Sequence, residues 1–227
     1  MADSDATLHR ESRPIEVCRI PGLTPYAEGL ALQMCTRNAV EAGDQSDTLI
    51  LLEHTPVITL GRSTDEKHLL KSRSAFEKMG IDVCEVDRGG DVTYHGPGQL
   101  VAYPIINLTY RKQSVGWYLR RLEETLIRTL QRYQLTGVRV EGMTGVWVND
   151  AKIAAVGVGV RNWITYHGIS LNINPSMEHF ESIIPCGIAN KSVTSLHALL
   201  NEQAPNLDTA AENYANEFQS VFSFRSP

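Results

Sequence analysis

The sequence predicts one α/β (α+β) domain. Short β-branched runs alternate with stretches of helical periodicity, and no composition break, long linker or internal repeat interrupts them. A hydrophobic content of 42% over 227 residues can bury a substantial core. Residues 1–14 lack an apolar run and carry Asp3, Asp5 and Glu11. They read as a disordered tail, with residues 15–227 forming the domain.

The first expected element is a helix, with Thr24 as N-cap, Pro25 at its first position and Gly43 as its stop. Tyr26, Leu30 and Met34 mark its apolar face. Residues 48–52 and 57–60 read as a strand pair joined by Glu53-His54-Thr55-Pro56. Residues 74–79, ended by Gly80, suggest a short helix. Strands over 83–86 and 100–106 then enclose a glycine-rich stretch. Val115, Leu119, Leu122, Leu126, Leu130 and Tyr133 recur at helical spacing, predicting an amphipathic helix over 114–133. Residues 145–148, 152–160 and 164–173 follow as strands, with Asn149-Asp150 as the first turn. In the last of these, Ile169, Leu171 and Ile173 alternate with Ser170, Asn172 and Asn174, which predicts a half-buried strand with one polar face. A short helix over 193–200 and a final helix marked by Leu207, Ala211, Tyr214, Phe218 and Phe222 complete the chain.

A net charge of −5 and a pI near 5.8 argue against a nucleic-acid surface. No apolar run approaches the ~20 residues of a membrane span, so a soluble cytoplasmic protein is expected. Cys18, Cys35, Cys84 and Cys186 are widely spaced, with neither a disulfide framework nor a zinc pattern. His54, His167, His179 and His197 form no ligand-spaced cluster, so no metal is expected. Gly157-Val158-Gly159 followed by Asn162 is an incomplete dinucleotide loop, and no cofactor is expected. Residues 111–132 differ from the acidic whole: Arg111, Lys112, Arg120, Arg121, Arg128 and Arg132 stand against Glu123 and Glu124. An acidic protein partner could dock there.

The most informative stretch is Arg88-Gly89-Gly90-Asp91-Val92-Thr93-Tyr94-His95-Gly96-Pro97-Gly98-Gln99-Leu100. Its glycines let backbone N–H groups approach a ligand, and Pro97 stiffens the turn. A plain hairpin connection between the flanking strands is the alternative. In Lys152-Ile153-Ala154-Ala155-Val156-Gly157, period-two alternation places Lys152 on the valine face if the strand is regular from its start. Burial there would favour the neutral amine. A solvated lysine beside the Asn149-Asp150 turn is the alternative. Cys186 lies between Pro185 and Gly187, where a loop could present a nucleophile beside N–H donors. It could equally be a small buried hydrophobe. His95 has two open roles, as base for Cys186 or as hydrogen-bond partner of a ligand carbonyl.

Residues 88–100, Lys152 to Gly157, His167-Gly168-Ile169-Ser170-Leu171-Asn172 and Pro185-Cys186-Gly187-Ile188 together closely resemble the lipoyl(octanoyl) transferases, the lipoate-protein ligase B family. Residues 52–62 are similar to an upstream block of the same family. The resemblance implies a mixed sheet flanked by helices, as in the catalytic domain of biotin and lipoate ligases. It also implies transfer of an octanoyl group from acyl carrier protein to a specific lysine of lipoyl domains. Those domains belong to 2-oxoacid dehydrogenase complexes and the glycine cleavage H protein. On the family's pattern Cys186 forms the acyl-thioester and Lys152 lowers its pKa. Substrate binding maps onto Arg88, Gly89, Gly90, Asp91, Val92, Thr93, Tyr94 and His95, onto Ala155, Val156 and Gly157, and onto Gly168, Ile169 and Ser170. The sequence departs from the family at Gly159, where a basic side chain is usual. An ATP-dependent ligase, a thioesterase and a non-catalytic acyl-binding module are the competing readings.

Overall fold

The computed structural model describes residues 14–184 and 192–223. Pro185, Cys186, Gly187 and Ile188 lie outside the described residues, as do residues 1–13 of the expected tail.

Two mixed sheets organise the domain. The larger orders seven strands as β1 (Ile15–Thr24), β2 (Asp47–His54), β6 (Gln99–Ile105), β10 (Ile164–Asn172), β9 (Ala151–Arg161), β8 (Met143–Val148) and β7 (Val138–Val140). Its β1 and β2 run parallel and the remaining pairs antiparallel. The smaller sheet sets β3 (Val57–Leu60) between β4 (Asp82–Glu85), parallel, and β5 (Val92–His95), antiparallel. Helices α1 (Tyr26–Ala42), α3 (Val115–Gln131) and α6 (Leu207–Ser223) flank the large sheet, and α2 (Arg73–Lys78), α4 (Met177–Phe180) and α5 (Leu196–Leu200) are short.

Strand alternation explains the layering. In β2, Leu49 and Leu51 join the core beneath α3 and α6, while Ile50 and Leu52 join the one beneath α1. In β6, Leu100 and Ala102 share the first face and Val101, Tyr103 and Ile105 the second. Central strands covered on both faces read as continuous apolar runs, and these two do. The stripe of α3 buries Leu122, Leu126 and Leu130 completely. A third cluster, with Ile58, Phe76, Val92 and Tyr94, fills the small sheet.

Several expectations change. Residues 48–52 and 57–60 are strands but do not pair: β2 and β3 belong to different sheets. The hairpin alternative for residues 88–100 fails likewise, because β4 and β6 lie in different sheets and Val92–His95 is itself a strand. Thr24 ends β1 and places no side-chain cap on α1, whose N-cap position is Pro25. Strand β1 was not expected, since Pro21-Gly22 reads as a turn. A register shift between Arg19 and Leu23 absorbs that pair at the sheet edge. Cys18, Cys35 and Cys84 also read as core residues of regular elements, but Cys35 is exposed and Cys18 and Cys84 are only half-buried.

The basic segment is also largely paired. Arg111 binds buried Asp47, Arg120 binds Glu123, Arg128 binds Glu124 and Arg132 binds Glu217, while Arg121 stacks over Trp117. Asp47 and Glu217 thus offset half of the excess of four positive charges in residues 111–132, and Glu123 and Glu124 are shared with Arg139. No helix among the described residues is long and apolar enough to cross a membrane.

Candidate active site

A cavity of about 550 Å³ opens where the 88–91 loop and β5 face β9 and β10. Arg88, Gly89, Gly90, Asp91, Val92, Thr93, His95, Lys152, Ala155, Val156, Gly157, Gly168, Ile169 and Ser170 all line it. Tyr94 points the other way, into the small-sheet cluster, where its hydroxyl meets His179 Nδ1 at 2.8 Å. The polar face of β10, expected to meet solvent, is a buried wall of this cavity: Ser170 is 3% and Asn172 4% exposed.

The loop is seated by one arginine and two glycines. Arg88 is buried, and its guanidinium donates to the Thr59 carbonyl at 2.8 Å and the Thr59 hydroxyl at 2.9 Å, tying the loop to β3. Gly89 N–H donates to the Val158 carbonyl at 2.9 Å. A Cβ on Gly157 would stand 2.9 Å from the Gly89 carbonyl oxygen, and one on Gly61 only 2.3 Å from that of Gly90. Gly157 thus makes room for the loop backbone, not for a ligand tail.

Lys152 reaches the cavity by a route that the alternation misses. Val146 pairs with Ala154, but Trp147 pairs with Lys152, so β9 carries an extra residue at Ile153. Ile153 and Ala154 consequently both enter the α3/α6 core. The bulge resets the pleat and turns Lys152 away from the valine face. Its side chain, on a residue only 6% exposed, lies over the Trp147 ring with Nζ 5.2 Å from the centroid. This excludes the solvated-lysine alternative. The Lys152 backbone also receives the chain after the undescribed segment: Lys152 N–H donates to Ser192 O, and Thr194 N–H donates to Lys152 O, both at 2.9 Å. On the other side of that segment, Ile184 N–H donates to His68 O at 2.8 Å. His68 also lines the cavity.

His95 is held by a network anchored on backbone carbonyls. Asn172 Nδ2 donates to Thr194 O at 2.9 Å, so Asn172 Oδ1 is left as acceptor. Gln99 Nε2 donates to that oxygen at 2.9 Å and to Tyr94 O at 3.2 Å, so Gln99 Oε1 must face His95 Nδ1, at 2.7 Å. Nδ1 therefore bears the proton, and Nε2 is an acceptor. Burial first, then the charges of His54 and Arg88, hold the His95 pKa down to about 3. A neutral ring of this tautomer cannot donate to a ligand carbonyl, and its burial opposes service as a proton store. Behind it, His54 Nδ1 donates to Thr24 O at 2.8 Å and Nε2 accepts from Tyr103 OH at 2.7 Å. Burial lowers the His54 pKa to about 4.

The described residues that line the cavity all fall within the span matched by a known family. The lipoyl protein ligase A/B catalytic domain matches residues 25–219. The chain belongs to this family. Within it, the relatives are octanoyltransferases: that of Clostridium kluyveri is 43% identical over 202 residues, 88% of this chain and 85% of the relative. That of Chloroflexus aurantiacus is 48% identical over 184 residues, 80% of this chain and 82% of the relative. The fold is shared more widely. A bipartite lipoate protein ligase from Thermoplasma acidophilum superposes with a TM-score of 0.71 at 14% identity, covering 96% of this chain and 87% of that one. A lipoate-protein ligase A bound with ATP gives 0.70 at 12% identity, with coverage of 96% and 87%.

Gly159 stands against an aromatic ring. A Cβ there would lie 2.3 Å from the Tyr166 ring, whose hydroxyl donates to Asp87 at 2.6 Å. Tyr166 occupies the space a basic side chain would need. Sequence reasoning passed over His68, Gln99 and Tyr103, because no local pattern marks residues that act across strands. Among the described residues no group of three or more His, Cys, Asp or Glu could hold a metal ion.

Proposed function

We propose that this octanoyltransferase-family chain takes an octanoyl group from acyl carrier protein onto Cys186 and passes it to a specific lysine of a lipoyl domain. Lipoyl domains of 2-oxoacid dehydrogenase complexes and of the glycine cleavage H protein are the acceptors, and the cytoplasm is the setting. The observation that carries the reading is the burial of Lys152 in the cavity, with its backbone bound to Ser192 on one side of the Cys186 segment. His68 holds Ile184 on the other side.

In the first half-reaction Lys152 Nζ accepts the Cys186 proton. The thiolate attacks the octanoyl thioester, and the tetrahedral oxyanion is met by N–H donors. The carrier leaves as a thiolate and takes the proton from Lys152, which is then neutral. In the second half-reaction the amine attacks the acyl-enzyme, and neutral Lys152 accepts one of its protons. Burying the octanoyl chain at about 0.8 kcal/mol per CH₂ contributes roughly 5 kcal/mol to binding, enough to select medium chains. Val115 and Leu119 of α3, with Met143 of β8, give the cavity an apolar section suited to that chain.

An assay with octanoyl-loaded carrier and a lipoyl domain, without ATP, tests this reading. Product without ATP is expected. Product only from free octanoate and ATP would assign the chain to the ligases. Octanoate release without domain modification would make it a thioesterase.

A further inference from the structure

Acyl transfer to a lysine removes two protons from nitrogen, and one base can hold only one of them at a time. The incoming ammonium carries three protons on nitrogen and the amide product carries one. As the C–N bond forms and the C–S bond breaks, the thioester and R–NH₃⁺ become the amide, the Cys186 thiol and one free proton. The bonding pair of the broken C–S bond goes to sulfur, and the proton taken by Lys152 ends there too. The second proton has to reach water, and a second acceptor open to solvent gives it a path.

Three imidazoles line the cavity among the described residues: His68, His95 and His167. His95 is enclosed, with Nδ1–H committed to Gln99 and its burial opposing a second proton. His167 is 2% exposed and presents Nε2 to Asp87 at 3.0 Å. His68 differs from both. Its side chain is 23% exposed, and its Nδ1 lies 2.7 Å from Asp91 Oδ2. Asp91 is itself fixed, because its Oδ1 accepts the Val92 N–H at 2.7 Å. The His68–Asp91 contact has the distance of a hydrogen bond without its alignment, a usual state of catalytic pairs before substrate arrives.

Asp91 is also the one carboxylate among the described residues that line the cavity, where Arg88 and Lys152 are the cations. An incoming ammonium has no other fixed anion there to meet. With Nδ1 turned to a carboxylate, the neutral His68 ring holds its lone pair on Nε2. The charged groups that face His68 are Asp91 across the cavity mouth and Asp65 from its own turn.

We propose that His68, oriented by Asp91, accepts the surplus proton of the incoming lysine in the second half-reaction, while Lys152 passes the other to the Cys186 sulfur. This rests on the acyl-enzyme reading above. Asp91 draws the ammonium in, His68 Nε2 takes the surplus proton, and the partly exposed ring returns it to water.

The test separates the two half-reactions. Octanoyl-enzyme is formed from a small octanoyl thioester, then mixed with a lipoyl domain, and each step is followed by quenched-flow mass spectrometry. His68→Ala is expected to slow transfer to the domain by about 10- to 100-fold, the range of general base catalysis, with acylation nearly unchanged. Added imidazole should restore part of the transfer rate, and Asp91→Asn should slow the same step less. If His68→Ala slows acylation and transfer alike without imidazole rescue, the side chain only supports the structure around the cavity and the proposal falls. Unchanged transfer would also overturn it. Wild-type enzyme that never acquires the octanoyl group would instead remove the acyl-enzyme reading, and this proposal with it.

Discussion

Gln99 decides which nitrogen of His95 carries the proton. Its Oε1 lies 2.7 Å from His95 Nδ1 because both protons of its amide are committed to Asn172 and to the Tyr94 carbonyl. The cavity therefore meets a ligand with an imidazole acceptor at this position. Gln99→Leu should leave His95 Nδ1–H and the Asn172 amide oxygen unpaired in the core. At about 1–3 kcal/mol for each buried group left without a partner, a loss near 3 kcal/mol is expected. That corresponds to a fall of about 6–12 °C in Tm for a domain of this size. Thermal unfolding measures it, and nitrogen-detected NMR of wild-type His95 should show Nδ1 protonated and Nε2 bare.

The two buried imidazoles also set an acid limit on stability. His54 and His95 have folded pKa values near 4 and 3, against about 6.5 in the unfolded chain. The unfolded state binds protons more readily, so stability is full above about pH 6.5 and declines as pH falls toward 4 and below. Each histidine contributes up to about 1.4 kcal/mol per pH unit across its window. Urea unfolding at pH 7, 6 and 5 should show this slope, and His54→Asn should flatten it. An unchanged slope in that variant would mean His54 is not the titrating group.

Gly157→Val should not act as a selectivity variant. A side chain there meets the Gly89 carbonyl and the Arg88 side chain, so it lifts the 88–90 loop off β9. Transfer of six-, eight- and ten-carbon chains should fall together, by tenfold or more. Rates compared across chain lengths would show it, and loss of the longer chains alone would place the tail beneath Gly157 after all.

Much of this was legible in the sequence, but only where the chemistry is local. The periodicity of α3 and the apolar runs of β2 and β6 foretold their elements, and residues 88–95, 155–157 and 168–170 come together at one cavity apart from Tyr94. What escaped depends on contacts between strands. The bulge at Ile153 reverses the side of Lys152, which no reading of β9 alone can show. His167 takes a positive φ of 54° within β10, which turns its N–H out of the ladder to Gln33 Oε1 at 2.7 Å. Such strain is tolerated where the surroundings over-determine it, and the partner is 134 residues away. The turn expected over 53–56 is confined to Thr55-Pro56, because β2 runs to His54, and a turn does not say which sheet its second strand will join.

Chain-length preference should instead respond at Leu119, which lines the apolar section of the cavity. Leu119→Phe is expected to shift the preferred donor toward six-carbon chains, with about tenfold lower kcat/KM for octanoyl donors, equivalent to about two CH₂ groups of lost burial. Competition between hexanoyl and octanoyl thioesters reads this directly. Equal loss on both would remove Leu119 from the acyl slot.

The central claim is covalent transfer through Cys186 with Lys152 as its proton partner, and intact-protein mass spectrometry tests it most directly. The enzyme is mixed with octanoyl-loaded acyl carrier protein in the absence of ATP, and a lipoyl domain is then added. One octanoyl adduct is expected, absent in Cys186→Ala and slow to form in Lys152→Ala, that disappears from the enzyme as the domain gains the same mass. A domain that becomes octanoylated at the normal rate by the Cys186→Ala enzyme, or a Lys152→Ala enzyme with both steps unchanged, would contradict it.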